Sequence, residues 1–310
     1  MLDKEDKTPK GFYIQQSNFK EEFKKIVRNI IYPIWNNTKQ NSLEKKYSLK
    51  EKLDFDMVYE TDRGTDYEAQ RKRINKYKNI KDATVLIIGI GTGRDLESWL
   101  KYNPKKIISI DYFNYEQAWS MRKRQYRNQY DTILEFYQAD ILDMSMIKDE
   151  SIDIIGSDAV FEHINKFDDA MKELYRILKT DGILYANFGP LWYCWGGDHI
   201  SGRDDLKNGY NHIKLDQDKY HTYLDGFGEF NHNEEDGRTW INNNLFSYLK
   251  PKEYIDKLEM AGFYKKFTSA LLEPRAIEFS KKYKEEFSKL EKTIDKENML
   301  IKGMTIIYGK

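Results

Sequence analysis

The sequence predicts an α/β fold: a mostly parallel seven-stranded sheet with helices on both faces, an N-terminal helical extension or lid over residues 1–80, and a main domain over 81–310 with an insertion at about 189–250 after its fifth strand. Three observations predict it. Val85-Leu86-Ile87-Ile88 is a continuous apolar run, as expected of a strand buried on both faces, and it leads directly into glycines at 89, 91 and 93. A second apolar run, Lys106–Asp111, ends in an acid 22 positions after Gly89. Beyond it, apolar runs of strand length alternate with helical stripes as far as Phe188. Strands separated by helices at this spacing pair in parallel through right-handed crossovers.

Taken in order, residues 1–18 read as poorly ordered, and Phe19, Phe23, Ile26, Ile30 and Ile31 form one apolar helical stripe that Pro33 stops. The polar, lysine-rich stretch Asn36–Asp56 reads as a linker or cover, and Tyr67–Tyr77 as a basic helix leading into the first strand. The glycine turn follows. A residue without Cβ adopts positive φ and lets a ligand approach the backbone, while a helix starting near Arg94 offers free N–H groups to a polar or anionic group. The dinucleotide pattern G-x-G-x-x-G would need its third glycine at position 94, where Arg94 stands. A plain glycine-rich loop is the alternative reading. The second strand ends at Asp111, close to the roughly 20-residue spacing at which such folds place a carboxylate on ribose hydroxyls. A helix (Tyr115 to about Gln129), a third strand (Ile133–Tyr137), a fourth (Ile152–Asp158), an amphipathic helix (Asp168–Leu178), a turn at Lys179–Gly182 and a fifth strand (Ile183–Phe188) complete the alternation.

The phrase Gly89-x-Gly91-x-Gly93 resembles the first motif of class I S-adenosylmethionine (SAM) dependent methyltransferases, a Rossmann-like family, and "FEHI…ELYRILKTDGILYANFGP" resembles its small-molecule, type 11-like members. Thr180-Asp181-Gly182 replaces their usual Pro-Gly-Gly, a change to a turn. The resemblance covers Thr84–Pro190 and resumes at Leu249–Phe263 ("L-x-P-x-E-Y…L-x-x-A-G-F"), ahead of an expected antiparallel pair, Phe267–Leu272 and Met304–Tyr308, with one lysine- and glutamate-rich helix (about 276–298) between them. It implies SAM as cofactor and S-adenosylhomocysteine as product. Gly89, Ile90, Gly91 and Gly93 would wrap the cofactor, Asp111 and Tyr112 hold its ribose, Asp140 and Ile141 its adenine, Ser157 would continue the series, and Tyr67 or Arg71 would close over its methionine carboxylate. A solvated helix face is the plainer reading of those last two.

Four of the five histidines, His199, His212, His221 and His232, fall in the aromatic-rich insertion, which lies at the carboxyl edge of the sheet where ligands bind. Gly189-Pro190-Leu191-Trp192…Gly197-Asp198-His199 resembles a phrase of bacterial methyltransferases that modify sugars for surface polysaccharides, which implies an acceptor such as a nucleotide-linked sugar or a glycan precursor. Transfer to a hydroxyl calls for a base, and His199 is the first candidate, with His163 and its neighbour Glu162 next. Each histidine has the alternative reading that it merely satisfies loop backbone. Glu162-His163 also resembles the pair with which quinone-pathway O-methyltransferases hold a divalent ion. Asp158, Glu162 and His163 would be the set here, for Mg²⁺ or Mn²⁺, but the match is incomplete and the expectation is a site without metal. N- or C-methylation of another metabolite, and a SAM-binding protein without turnover, are the alternatives to sugar O-methylation.

Composition narrows the field. Fifty-one basic residues balance fifty-one acidic ones, and Ser157-Asp158-Ala159-Val160 stands where a base-flipping enzyme would carry an Asn-Pro-Pro-Tyr-like motif, so no nucleic-acid partner is expected. A mean hydropathy of −0.80 and a charged start without an apolar segment argue against membrane and export. The lone Cys194 has no disulfide partner, which fits the cytoplasm. The oligomeric state stays open, a homodimer included.

Overall fold

The computed structural model describes residues 58–61, 67–227 and 237–310. The expected stripe at Phe19–Ile31, the lysine-rich stretch 36–56 and His232 lie outside the described residues. The first half of the fold runs β1 (Val58–Thr61), α1 (Tyr67–Tyr77), β2 (Thr84–Ile88), α2 (Leu96–Leu100), β3 (Lys106–Asp111), α3 (Glu116–Tyr126), β4 (Ile133–Gln138), β5 (Ile152–Asp158), α4 (Phe167–Ile177) and β6 (Leu178–Phe188), and from α1 onward it follows the expected order. Short helices α5 (Asn211–Lys214), α6 (Gln217–Asp225) and α7 (Gly237–Asn242) occupy the insertion, and α8 (Pro251–Met260) leads into β7 (Tyr264–Leu272). Then α9 (Pro274–Lys282), α10 (Lys284–Leu290) and α11 (Lys296–Leu300) precede β8 (Ile301–Gly309).

The strands form one sheet in the order β1-β7-β8-β6-β5-β2-β3-β4, with β8 antiparallel to both its neighbours and the other pairings parallel. Alternate residues of β2 explain why its run is apolar throughout. Leu86 and Ile88 enter the core on one face, with Ile155, Phe161 and Leu184, whereas Val85 and Ile87 enter the core on the other, with Ile107, Ile154 and Trp99. On α4, Phe167, Ala170, Met171, Leu174 and Ile177 are buried at helical spacing.

Three features depart from expectation. The sheet has an eighth strand, β1, paired in parallel with β7. Four residues, Val-Tyr-Glu-Thr, make no apolar run and leave no signal in the sequence. The turn expected at Lys179–Gly182 is a bulge within β6: Ile152 pairs with Leu178 and Ile154 with Ile183, so the intervening residues loop out. The single helix expected over about 276–298 is three, because Tyr283 (φ −117°, ψ 57°) and Asp295 (φ −58°, ψ 141°) leave helical geometry. Its apolar residues Ala276, Phe279, Phe287 and Leu290 reach the core from separate segments.

Candidate active site

A cavity of about 700 Å³ opens at the carboxyl ends of β2, β3 and β5. The glycine turn forms its floor. Gly89, Gly91 and Gly93 all have positive φ (72°, 51° and 76°), so each takes a conformation that other residues adopt only at a cost. Their surroundings differ. A Cβ on Gly89 would collide with the Val160 side chain and one on Gly93 would press on Arg122, whereas one on Gly91 would meet nothing within 4 Å among the described residues. Gly91 is where the turn lies open to a ligand.

Asp111 fastens this turn. Its Oδ2 accepts from the Gly91 N–H at 2.7 Å and its Oδ1 from the Phe113 N–H at 3.0 Å, and burial pushes its pKa up from the ordinary carboxylate value against those two bonds. An ionised carboxylate has about four acceptor sites, so capacity remains for ribose hydroxyls. Tyr112, Asp140 and Ile141 continue the wall beyond it, and Tyr67, Gly89, Ile90 and His163 also line the cavity. Those nine expected residues meet around one space. Gly93, Ser157, Arg71, Glu162 and His199 stand behind its walls.

Arg71 is the clearest departure. It is fully buried, with its guanidinium 4.1 Å from the Trp99 ring, Nε donating to Ser98 Oγ at 3.2 Å, and Nη2 donating to Asp95 Oδ2 at 3.0 Å and Asp158 Oδ2 at 2.5 Å. Tyr185 donates its hydroxyl to the other oxygen of Asp158 at 2.8 Å. Burial works against the charge of Arg71, and the partners Asp158, Tyr185 and Asp95 outweigh it, so the guanidinium stays charged. Two carboxylates already share this cation, and both of them line the cavity. The trio is net negative and suits a cationic group there better than a carboxylate. The sequence reading missed Asp95, whose one signal is its place just after the glycine turn. Asp158, which the incomplete metal resemblance placed beside Glu162 and His163, is held by Arg71 and Tyr185, and among the described residues the donors that converge are those of Glu162, His163 and His199.

At the opposite end, the chain leaves β5 in a 3₁₀ turn, Phe161–His163, that carries Glu162 and His163. Glu162 is 1% exposed; its Oε1 accepts from the Gly189 N–H at 2.9 Å, and its Oε2 is buried without a hydrogen bond among the described residues. Burial, working against the Gly189 bond, pushes its pKa up to about 7. His163 Nδ1 lies 2.9 Å from the Leu245 carbonyl. A carbonyl only accepts, so Nδ1 carries the proton and Nε2 keeps its lone pair. Burial lowers the pKa of this imidazole to about 4 and that of His199 well below its usual value, which leaves both neutral at physiological pH.

His199 reaches this place from the insertion. Its ring centroid is 5.0 Å from that of His163 and 4.7 Å from that of Trp240, and its Nε2 is buried without a hydrogen bond among the described residues. The backbone is strained there, with φ at +67°. The fully buried Asp198 carboxylate holds the turn: it accepts from the N–H groups of Ile200 (3.2 Å) and Ser201 (2.8 Å), the Ser201 hydroxyl (2.7 Å) and the Tyr220 hydroxyl (2.6 Å). Glu162, His163 and His199 thus bring one donor atom each to within 4.8 Å of one another. Trp240, Asn243 and Leu245, which the sequence reading did not single out as site residues, complete the cavity on this side. His212 is structural, its Nε2 donating to the Trp192 carbonyl at 2.7 Å, and His221 is exposed.

Residues 86–186 match the family model described as a methyltransferase domain. A curated relative, a malonyl-[acyl-carrier protein] O-methyltransferase from Bacillus cereus, is 28% identical over 116 residues, which is 37% of this chain and 40% of the relative. The chain therefore spans well under half the length of that protein. Among solved structures, a candidate S-adenosylmethionine dependent methyltransferase from Listeria monocytogenes is 18% identical, with a TM-score of 0.49 over 80% of this chain and 99% of the other. A S-adenosylmethionine dependent methyltransferase from Mesorhizobium loti is 11% identical, with a TM-score of 0.47 over 79% and 99%.

Proposed function

Residues 86–186 match a methyltransferase-domain model, and we propose that this chain is a SAM-dependent O-methyltransferase that moves the methyl group of SAM to a hydroxyl of a sugar, carried on a nucleotide or a glycan precursor. The observation that carries the reading is a single cavity with two unlike ends: the glycine turn, Asp111 and Asp140 at one, and His163, Trp240, Asn243 and Leu245 at the other. In this assignment the adenosine lies along Gly91, Asp111, Asp140 and Ile141. The net negative Arg71–Asp95–Asp158 trio attracts the cationic amino and sulfonium groups of the methionine part.

The acceptor takes the His163 side. Trp240 offers a ring face for the C–H surface of a sugar, and Asn165, Lys166 and Asn243 offer polar groups for its hydroxyls. In the reaction, the acceptor oxygen forms a bond to the methyl carbon as the carbon–sulfur bond breaks, its proton leaves, and the sulfonium becomes the neutral thioether of S-adenosylhomocysteine. The protein's task is alignment and disposal of that proton. The Glu162–His163–His199 group is the place for the second task.

A carboxylate acceptor is the second reading, favoured by the name of the Bacillus cereus relative. Its oxygen is already ionised and needs no base. The test is to incubate the protein with SAM and a panel of nucleotide sugars, free sugars, a malonyl thioester and simple amines, following S-adenosylhomocysteine release and product mass. Methylated sugar is the expected result; turnover confined to the thioester or the amines would sink the sugar assignment.

A further inference from the structure

We propose that Glu162, His163 and His199 form a binding site for one divalent transition-metal ion of the zinc and iron class, open on one side to the cavity. Three separate observations converge on it. Each residue has its other polar atom committed or its free one isolated: Glu162 Oε1 is taken by the Gly189 N–H and His163 Nδ1 by the Leu245 carbonyl, while Glu162 Oε2 and His199 Nε2 are buried with no hydrogen bond among the described residues. Buried polar atoms left without partners are uncommon, and two aimed into one cluster call for an occupant. The donor atoms already lie within 4.8 Å of one another; those of a tetrahedral site are roughly 3.4 Å apart, so an ion draws them together.

The outer partners fit as well. A metal-bound imidazole commonly donates its second N–H to a carbonyl, as His163 does to Leu245, and the ligating carboxylate is itself hydrogen-bonded, as Glu162 is to Gly189. His199 is held at a strained φ by the four bonds to Asp198, and such strain persists only where surrounding structure imposes it. The chemistry of the donors selects the ion. Two imidazoles and one carboxylate suit Zn²⁺, Fe²⁺ or Co²⁺, whereas Mg²⁺ and Ca²⁺ favour sites made of oxygen. With Asp158 engaged by Arg71 and Tyr185 and His199 in the cluster, two imidazoles and one carboxylate replace the two carboxylates and one imidazole that pointed to Mg²⁺ or Mn²⁺.

The binding of the ion stands on the geometry alone; its role rests on the methyl-transfer reading. His163 lines the cavity, so the open side faces the acceptor, and an ion there acidifies a coordinated hydroxyl as it does water, whose pKa falls from 15.7 to about 7 on zinc. The acceptor proton then passes to solvent and the oxygen attacks the methyl group.

The test titrates chelator-treated full-length protein with Zn²⁺ against a chromophoric competitor and with Co²⁺ by visible absorption. One ion per chain is expected, with Co²⁺ bands typical of a low-coordinate site. Glu162→Gln and His199→Ala should each weaken Zn²⁺ at least tenfold, the lower end of what loss of even an outer partner costs. SAM affinity, set at the other end of the cavity, should stay within about twofold and so report an intact fold. No bound ion in the wild-type protein, or undiminished binding in both variants, would overturn the proposal. Ion binding with no transfer to any hydroxyl would sink the O-methyl reading and leave the site standing; transfer with no ion bound would do the reverse.

Discussion

The segment from Thr84 to Phe188 and the insertion at 189–250 contribute to the same cavity by opposite means. In the first, a functional residue sits where a strand ends: Gly89 after β2, Asp111 at the end of β3 and Asp140 just after β4 are placed by the register of a sheet buried on both faces. In the second, His199 is placed by a turn whose shape depends on one carboxylate, that of Asp198. A scaffold of strands fixes position through a ladder of paired residues on each side, whereas a turn fixes it through a handful of bonds. The cofactor end should therefore resist change in the insertion, and the reactive end should not.

Four measurements sharpen or break that contrast. Arg71→Leu leaves Asp95 and Asp158 facing each other without a cation. It should cost about 3–5 kcal/mol of stability, read as a fall in the urea midpoint; a change below about 1 kcal/mol would mean that the trio is not the lock described above. Asp198→Ala removes four hydrogen bonds from the turn. Methyl transfer should fall about a hundredfold or more while the SAM dissociation constant moves by less than about twofold, and an equal loss in both would show that the two ends are not separable. Asp111→Ala should do the converse, weakening SAM by about ten- to a hundredfold, the worth of hydrogen bonds to a charged group. The smallest effect concerns pH. Burial raises the Asp111 pKa, and only the ionised form accepts fully from ribose hydroxyls, so SAM affinity should be level at neutral pH and decline on acidification at a pH above the ordinary aspartate range; an Asp111→Asn variant should lose that dependence.

What could be read from the sequence follows the same division. The parallel alternation, the glycine turn and the acids at strand ends were legible because a buried strand is a run of apolar residues and its end is a fixed place. Val58–Thr61 was not, since a four-residue edge strand needs no such run. Nor was the break at Tyr283, where charged residues on both sides read as one continuous helix. Glu162 and His163 stood out as a pair, the expectation was a site without metal, and the incomplete metal resemblance offered the nearby Asp158, not His199, beside them. Proximity along the chain misled there: His199 lies 36 positions away and is brought in by tertiary structure, whereas Asp158 is turned toward a cation 87 positions back that no local pattern announces.

The Arg71 anchor also has a bearing on how molecules get in and out. Because α1 carries the only guanidinium that neutralises Asp95 and Asp158 among the described contacts, a door hinged on α1 would strip two acids of their cation each time it swung. Traffic by that route would carry a toll of several kcal/mol per opening. On the opposite wall Trp240 sits on the six-residue helix α7 and Asn243 just beyond it, and the described tie there is weaker: Arg238 bonds the Leu224 carbonyl and pairs at 3.4 Å with the exposed Asp225. Exchange of cofactor and product is expected to pass on that side, so that the gate of the enzyme and its acceptor specificity are written in the same short stretch of chain.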